Sequence, residues 1–289
     1  MKTIKSYSKI NLFLDILSKY KNGYHKINSL FCETDLYDEI SYRENAIGEI
    51  RVFDESNILP KDNTLTKAAN IFLDTVPHLK IGVDFHIVKN IPIGGGMGGG
   101  SSNGAQVLKI LNEIYETHYS IKKLERLALK IGSDVPFFIR GGLQKVTGTG
   151  NILRKLKPNI KSEIIIVLTF PNIEVNTSKA YNIIDDNNLS KKEYKNIVKY
   201  KNIISGFLSN DLNKIVNNTY NKFESVIFKE YPDIENIYNL IKTTNPLTLF
   251  MSGSGSTLVS IFTSNEEADK LINILSNNGI KAIKSNLLY

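Results

Sequence analysis

Residues 92–102 read PIGGGMGGGSS, with six glycines in the seven positions from 94 to 100. Glycine brings no side chain to a core and loses the most conformational freedom on folding. A run this dense therefore implies that the backbone itself does something that side chains would obstruct. The run is set between two patterned segments. Before it, Ile81, Val83, Phe85 and Ile87 alternate as a strand; after it, Ala105, Leu108, Leu111 and Tyr115 recur at helical spacing. Between a strand and a helix, successive glycine N–H groups can converge on an anion, and the helix N-terminus adds partial positive charge. Ser101 and Ser102 offer hydroxyls to phosphate, or to a Mg²⁺ ion carried on it. The loop reads as a phosphate cradle.

Three kinds of nucleotide loop compete for this pattern. Gly94, Gly96 and Gly99 satisfy G-x-G-x-x-G, as any glycine-saturated stretch does, but Pro92 stands between strand and loop. A dinucleotide-dependent oxidoreductase stays open on that match. The pattern G-x-x-x-x-G-K-[ST] fails because no lysine precedes the serines, and the catalytic-loop and metal-binding signatures of protein kinases are absent. What remains is P-x-G-G-G-x-G-G-G-S-S.

The rest of the chain narrows the setting. With 289 residues, 42% hydrophobic and 22% charged, it can bury a full core as one large domain or two smaller ones. No apolar run approaches the ~20 residues of a membrane helix, and MKTIKSYSKI leads straight into a patterned strand, which points to a cytoplasmic protein without membrane partners. The single cysteine, Cys32, and the unclustered His25, His78, His86 and His118 give no structural metal site. The net charge of +7 is spread without a dense basic block, so it suits anionic small substrates better than nucleic acid. Oligomeric state cannot be read from these features.

Along the chain, KINLFLDIL places Ile10, Leu12, Leu14 and Ile16 on one strand face and Lys9, Asn11, Phe13 and Asp15 on the other. Asn22-Gly23 marks a turn, followed by strand-like runs at 27–34 and 36–42. Asp62 and Asn63 can cap a helix carrying Leu65, Ala68, Ala69, Phe72 and Val76, and Ser120 can cap one carrying Leu124, Leu127, Ala128 and Ile131. Beyond 160 the texture changes to a buried-type strand, lysine- and asparagine-rich helices, and a closing strand, glycine turn, strand, helix and strand. Two domains are expected, 1–160 and 161–289, in an α+β chain.

P-x-G-G-G-x-G-G-G-S-S resembles the phosphate loop of the GHMP small-molecule kinases. SKINLFLDIL is similar to that family's first motif, and LFMSGSGSTLVSIF at 249–262 to its third. The resemblance implies a two-lobed α+β fold, with an N-terminal ribosomal-S5-like lobe that binds ATP and a C-terminal ferredoxin-like α/β sandwich lobe. Within the family, KINLFL, NGYH, GGGMGGGSSN and GSDVPFFIRGG together resemble the branch whose acceptor is a cytidine-diphosphate-linked methylerythritol. That branch implies ATP-dependent phosphorylation of the acceptor's 2-hydroxyl in an isoprenoid-precursor pathway, with Mg²⁺ carried by ATP. Another kinase of the family, of homoserine or mevalonate type, remains the nearest alternative.

The same resemblance implies residue roles. Asp134 stands where this branch carries its catalytic base, and Lys9 where a cation supports that aspartate and the reacting hydroxyl. Pro92, Ile93, Gly94, Gly95, Gly96, Met97, Gly98, Gly99, Gly100, Ser101 and Ser102 hold the phosphates, Asn63 and Lys89 border the adenine, and Ser102 is a candidate Mg²⁺ ligand. Asn11, Thr177, Gly253 and Ser254 fall on the acceptor side. Tyr24 and His25 meet the cytosine, with Tyr181 stacking on the base from its other side. Met97 takes the place of the usual leucine, and Gly104 that of a commoner alanine.

Overall fold

The structure is a computed structural model and describes residues 1–60, 62–78, 81–187 and 196–289. In chain order its elements are β1 (Lys2–Lys19), β2 (His25–Asn45), β3 (Ile50–Asp54), α1 (Thr64–Leu73), β4 (Gly82–Val88), α2 (Gly99–Ile114), α3 (Ile121–Ile131), α4 (Val135–Arg140), β5 (Leu143–Gly148), β6 (Ile152–Lys155), β7 (Ile165–Phe170), α5 (Thr177–Asp186), α6 (Ile197–Ser209), α7 (Leu212–Val216), β8 (Tyr220–Asn221), α8 (Glu224–Glu230), α9 (Pro232–Lys242), β9 (Thr248–Met251), β10 (Leu258–Phe262), α10 (Asn265–Asn277) and β11 (Lys281–Leu288). This is the expected α+β mixture. Among the described residues no helix is long and apolar enough to cross a membrane.

The chain divides into two compact units, neither continuous in sequence. The first comprises Met1–Ser8, Leu36–Ile93 and Gly98–Gly141; the second comprises Lys9–Asp35, Gly94–Met97 and Gly142–Tyr289. Residue 160, where the sequence texture changes, lies inside the second unit.

In the first unit the end of β2 runs antiparallel to β4, with Tyr42 opposite Phe85, and β3 lies parallel to β4. Val83, Phe85 and Ile87 of β4 are buried, as their alternation requires. Asp84 faces the other way between Arg51, Arg43 and Asn45, and the hydrogen-bonded Arg51 guanidinium pulls its carboxyl down to about 2. Helix α1 begins at Asn63, whose side chain accepts from the Leu65 and Thr66 amides, and buries Leu65, Ala68, Ala69 and Phe72. Gly104 on α2 faces the Thr64 carbonyl, where a Cβ would sit 3.3 Å from the oxygen, a tight contact that a shift of a few tenths of an ångström would relieve. Ser120 caps α3, and α4 buries Phe137 and Phe138 completely, each stabilising the fold by roughly 1.5–3 kcal/mol.

In the second unit, the start of β2 pairs antiparallel with β5, and β5 with β6. Strand β11 runs antiparallel to β7 over six residues and meets β2 at Leu287 opposite Thr34. β10 pairs antiparallel with both β7 and β9. Thus β7 lies between two strands, and all six of its residues are buried. That accounts for the apolar run without alternation at 165–170. The two-residue β8 pairs parallel with β1, Phe13 opposite Tyr220 and Leu14 opposite Asn221. Ser264 caps α10 by accepting from the Glu267 amide, as its sequence position suggests. β2 is a single 21-residue strand where the sequence suggests two shorter ones.

Candidate active site

The residues expected to act fall into both units. Asn63, Lys89, Pro92, Ile93, residues 98–102 and Asp134 belong to the first; Lys9, Asn11, Tyr24, His25, residues 94–97, Thr177, Tyr181, Gly253 and Ser254 belong to the second.

In the second unit, Gly94 and Gly96 both take φ of +75°, a conformation that side-chain-bearing residues rarely adopt. Gly96 also lacks room for a side chain, because a Cβ there would stand 2.4 Å from the Ser252 carbonyl oxygen and 3.0 Å from that of Gly255. The two glycine turns, far apart in sequence, thus pack backbone against backbone. The only side chain among residues 94–97, that of Met97, is buried and anchors the segment. Its carbonyl accepts from the Lys9 amide at 3.0 Å.

Lys9 is 3% exposed, and its ammonium donates to Asn11 Oδ1 at 2.7 Å and to the Gly96 carbonyl at 3.0 Å. A buried cation is tolerated only when its donors end on oxygen acceptors, and the alternating pattern of β1 supplies one of them two residues on. Asn11 in turn donates to Ser29 Oγ at 3.2 Å, while its amide meets Ser252 Oγ at 3.4 Å. The Ser252 hydroxyl donates to the Gly96 carbonyl at 3.3 Å. Lys9, Asn11, the 94–97 segment and the 252–255 turn are therefore brought together.

A second cluster of this unit is organised by α5. Thr177, Tyr181 and Asp185 recur every four residues and share one helix face. Thr177 Oγ1 lies 2.7 Å from Ser254 Oγ. The Tyr181 ring stacks on that of His25, centroids 4.6 Å apart and planes 18° apart, and meets Phe223 edge-on. Asp185 Oδ1 lies 2.7 Å from His25 Nε2, and its Oδ2 accepts from Lys19 at 2.6 Å. Burial works against the charge of Asp185, but Lys19 and His25 outweigh it and hold the carboxyl below its ordinary range. Tyr24 is 63% exposed. One face of the Tyr181 ring thus lies directly on His25, which leaves its other face for the stacking on a base that the resemblance implies. A base inserted between those two rings would need about 7 Å, twice an ordinary stacking distance. The sequence motifs do not single out Asp185, although its spacing of four from Tyr181 is the signal that points to it.

Glu224, at the start of α8, accepts from the Met251 amide at 2.8 Å. Burial pushes its carboxyl up to about 7, against the opposing pull of that amide and of Lys199. Because the folded value exceeds the ordinary 4.5, the fold binds this proton more tightly than the unfolded chain does. Its contribution to stability therefore falls as pH rises from about 4.5 to about 7. Glu224→Gln, which keeps an acceptor for Met251, is expected to match wild type near pH 5 and to exceed it at pH 8, by at most about 3 kcal/mol. Thermal melts of both proteins at the two pH values check this.

In the first unit, α2 begins at Gly98, which takes φ of +70° and caps the helix with no side chain. As at any helix N-terminus, the first amides of α2 have no carbonyl within the helix to bond. Thr64 donates to the Gly100 carbonyl at 2.7 Å, tying the start of α1 to that of α2. The Asn63 side chain caps α1 and donates to the Pro60 carbonyl, so its amide already has a structural task beside any contact with adenine. Lys89 is paired with buried Asp38, which also accepts from the Asn90 and Ile91 amides and from Asn103. The Lys89 ammonium lies 3.2 Å from the position of a Cβ on Gly99, beside the first turn of α2. Asp134 is half-buried immediately before α4, and its side chain does not cap that helix.

Mg²⁺ is implied by the use of ATP. Among the described residues no group of three or more His, Cys, Asp or Glu gathers to hold a metal. Ser102 is a poor ligand: it is fully buried, and its hydroxyl accepts from Ser6 at 2.8 Å. Ser101, one residue earlier and half-buried, is the hydroxyl of this segment that fits an ion arriving on phosphate.

The GHMP kinases N terminal domain matches residues 63–142, and the GHMP kinases C terminal domain matches residues 203–281. The chain belongs to the GHMP kinase family. Among its relatives, the 4-diphosphocytidyl-2-C-methyl-D-erythritol kinase of Clostridium perfringens is 35% identical over 261 residues, covering 90% of this chain and 88% of the relative. The protein of that name from Pseudothermotoga lettingae is 36% identical, covering 92% of each. A crystal structure of 4-(cytidine 5'-diphospho)-2C-methyl-D-erythritol kinase shares the fold over the whole of both chains, with a TM-score of 0.82 at 24% identity.

Proposed function

We propose that this chain transfers the γ-phosphoryl of ATP to the 2-hydroxyl of 4-diphosphocytidyl-2-C-methyl-D-erythritol, giving the 2-phosphate and ADP, in the non-mevalonate route to isoprenoid precursors. As a GHMP kinase it is an ATP-dependent small-molecule kinase. The observation that carries the choice of acceptor is the cluster at one face of α5, where His25 meets Tyr181 and Asp185 while Thr177 meets Ser254. A kinase of homoserine or mevalonate has no base to recognise and no use for such a pair.

In this reading Asp134 accepts the proton of the attacking hydroxyl as the new O–P bond forms. The bond between the γ-phosphorus and the β–γ bridging oxygen breaks, and ADP leaves. Lys9, its donors held by Asn11 and Gly96, offsets negative charge on the reacting oxygen. Residues 92–102 present backbone N–H groups to the phosphates, and Asn63 and Lys89, the latter held by Asp38, border the adenine. Ser101 lies in the segment that would meet Mg²⁺, which would supply charge neutralisation to the phosphates. Cytidine recognition at His25 uses remote binding energy to orient the hydroxyl. A cytoplasmic location, and small molecules rather than nucleic acid as partners, belong to the same proposal.

The test is ATP turnover with four acceptors: the cytidylated methylerythritol, mevalonate, homoserine and galactose. The expected result is phosphorylation of the cytidylated acceptor alone. Turnover of another acceptor without it would replace the proposed substrate.

A further inference from the structure

Asn221 lies at the end of β8, opposite Leu14 of β1, and is 2% exposed. It stands in the lysine- and asparagine-rich stretch that the sequence leaves without a role. Its side chain makes three bonds. Nδ2 donates to the Met251 carbonyl at 2.6 Å and to the Gly253 carbonyl at 2.7 Å, and Oδ1 accepts from the Phe223 amide at 2.9 Å. The two donated bonds bracket Ser252, the residue whose carbonyl and hydroxyl both face Gly96. Gly253, held at φ of +59°, packs closely on the same glycine, a Cβ there falling 3.0 Å from the Gly96 carbonyl oxygen. Glu224 holds the Met251 amide, so both backbone groups of Met251 are fixed by side chains from the segment that follows β8 or ends it.

We propose that Asn221 is a positioning residue for the nucleotide loop: it fixes the 251–253 backbone, which in turn sets the conformation of Gly96. This rests on the reading of that loop as the ATP phosphate site. A side-chain amide is the group this place demands, because two carbonyl oxygens need two N–H donors and an amide nitrogen carries both. Aspartate keeps the shape and the bond to Phe223 but turns an acceptor toward two acceptors. Alanine leaves both carbonyls buried without their partner. Asn221 bonds none of His25, Thr177, Tyr181 and Asp185 directly, and aspartate keeps the bond to the Phe223 amide, so that the ring against Tyr181 stays anchored in that variant.

The experiment compares wild type with Asn221→Asp and Asn221→Ala, using ATP itself as the calorimetric probe, together with KM for ATP and for the cytidylated acceptor, kcat at saturating ATP, and thermal melts. Loss of the two bonds is expected to weaken ATP binding and raise its KM about tenfold or more, with acceptor KM within about threefold and kcat falling less than KM rises. A folded Asn221→Asp protein whose ATP affinity stays within about twofold of wild type overturns the proposal. Loss of the fold in both variants overturns it too, in favour of a purely structural role. Wild type that binds ATP but ignores the cytidylated acceptor sinks the proposed substrate alone, and calorimetry then still decides on Asn221. Wild type that does not bind ATP sinks both.

Discussion

Replacing Asp134 with asparagine is expected to lower kcat by about 10²-fold or more while ATP affinity stays within about threefold. Asparagine keeps the volume and hydrogen-bonding reach of the side chain but cannot take a proton from the attacking hydroxyl. Asparagine suits the backbone there, because the residue takes helical angles, φ −88° and ψ −14°, that asparagine adopts readily, and no cap of α4 is lost with the carboxylate. Steady-state turnover read beside a thermal melt checks this. Near-wild-type turnover in a folded variant would remove Asp134 from the chemistry and require another proton acceptor.

His25→Ala carries the second large effect, on the acceptor. Its KM is expected to rise roughly tenfold or more, in line with about 1–3 kcal/mol for each buried polar group left without a partner, while the KM for ATP stays within about threefold. The structure adds a reason that the Gly-Tyr-His motif alone could not supply. His25 is 8% exposed, and its removal uncovers a face of Tyr181 and leaves Asp185 with Lys19 as its remaining partner. CMP and CDP should compete with the acceptor in wild type and poorly in the variant. If the variant handles the cytidylated acceptor normally and cytidine nucleotides never compete, that acceptor must be given up while the kinase class stands.

These two predictions draw on parts of the site that are legible in the sequence to different degrees. Lys9 and Asn11 can be placed side by side because a strand repeats every two residues, and the 2.7 Å bond between them is that period made physical. The glycine loop is legible because so dense a run is useless to a core and useful to a backbone that must approach an anion. What resists reading depends on partners distant in the chain. Asp35, two residues after Glu33, interrupts the pattern of β2 and looks like a break. Glu33 accepts from the Gly142 amide, however, and Asp35 from Asn286, so the strand continues through them. Lys89 looks free for adenine until Asp38, 51 residues earlier, is found beside it. Asn221 is one asparagine among many, and no local period distinguishes it. Asp185 is within reach, since helical spacing from Tyr181 points to it.

The place of β11 governs how the second unit can come into being. β7 ends at Phe170, yet one of its two neighbouring strands begins only at Lys281. At ~5–20 residues per second, synthesis of the intervening stretch takes roughly 6–20 s, during which an apolar strand has an unsatisfied edge. The pairing of Leu287 with Thr34 closes a loop through most of the chain, a non-local contact of the kind that slows folding. Completion of this unit therefore waits on the synthesis of β11, and the nascent chain is exposed to aggregation until that strand arrives. Shortening β11 would strand β7 in that state, so conditions that favour chaperone holding should raise the yield of full-length protein more than conditions that speed translation.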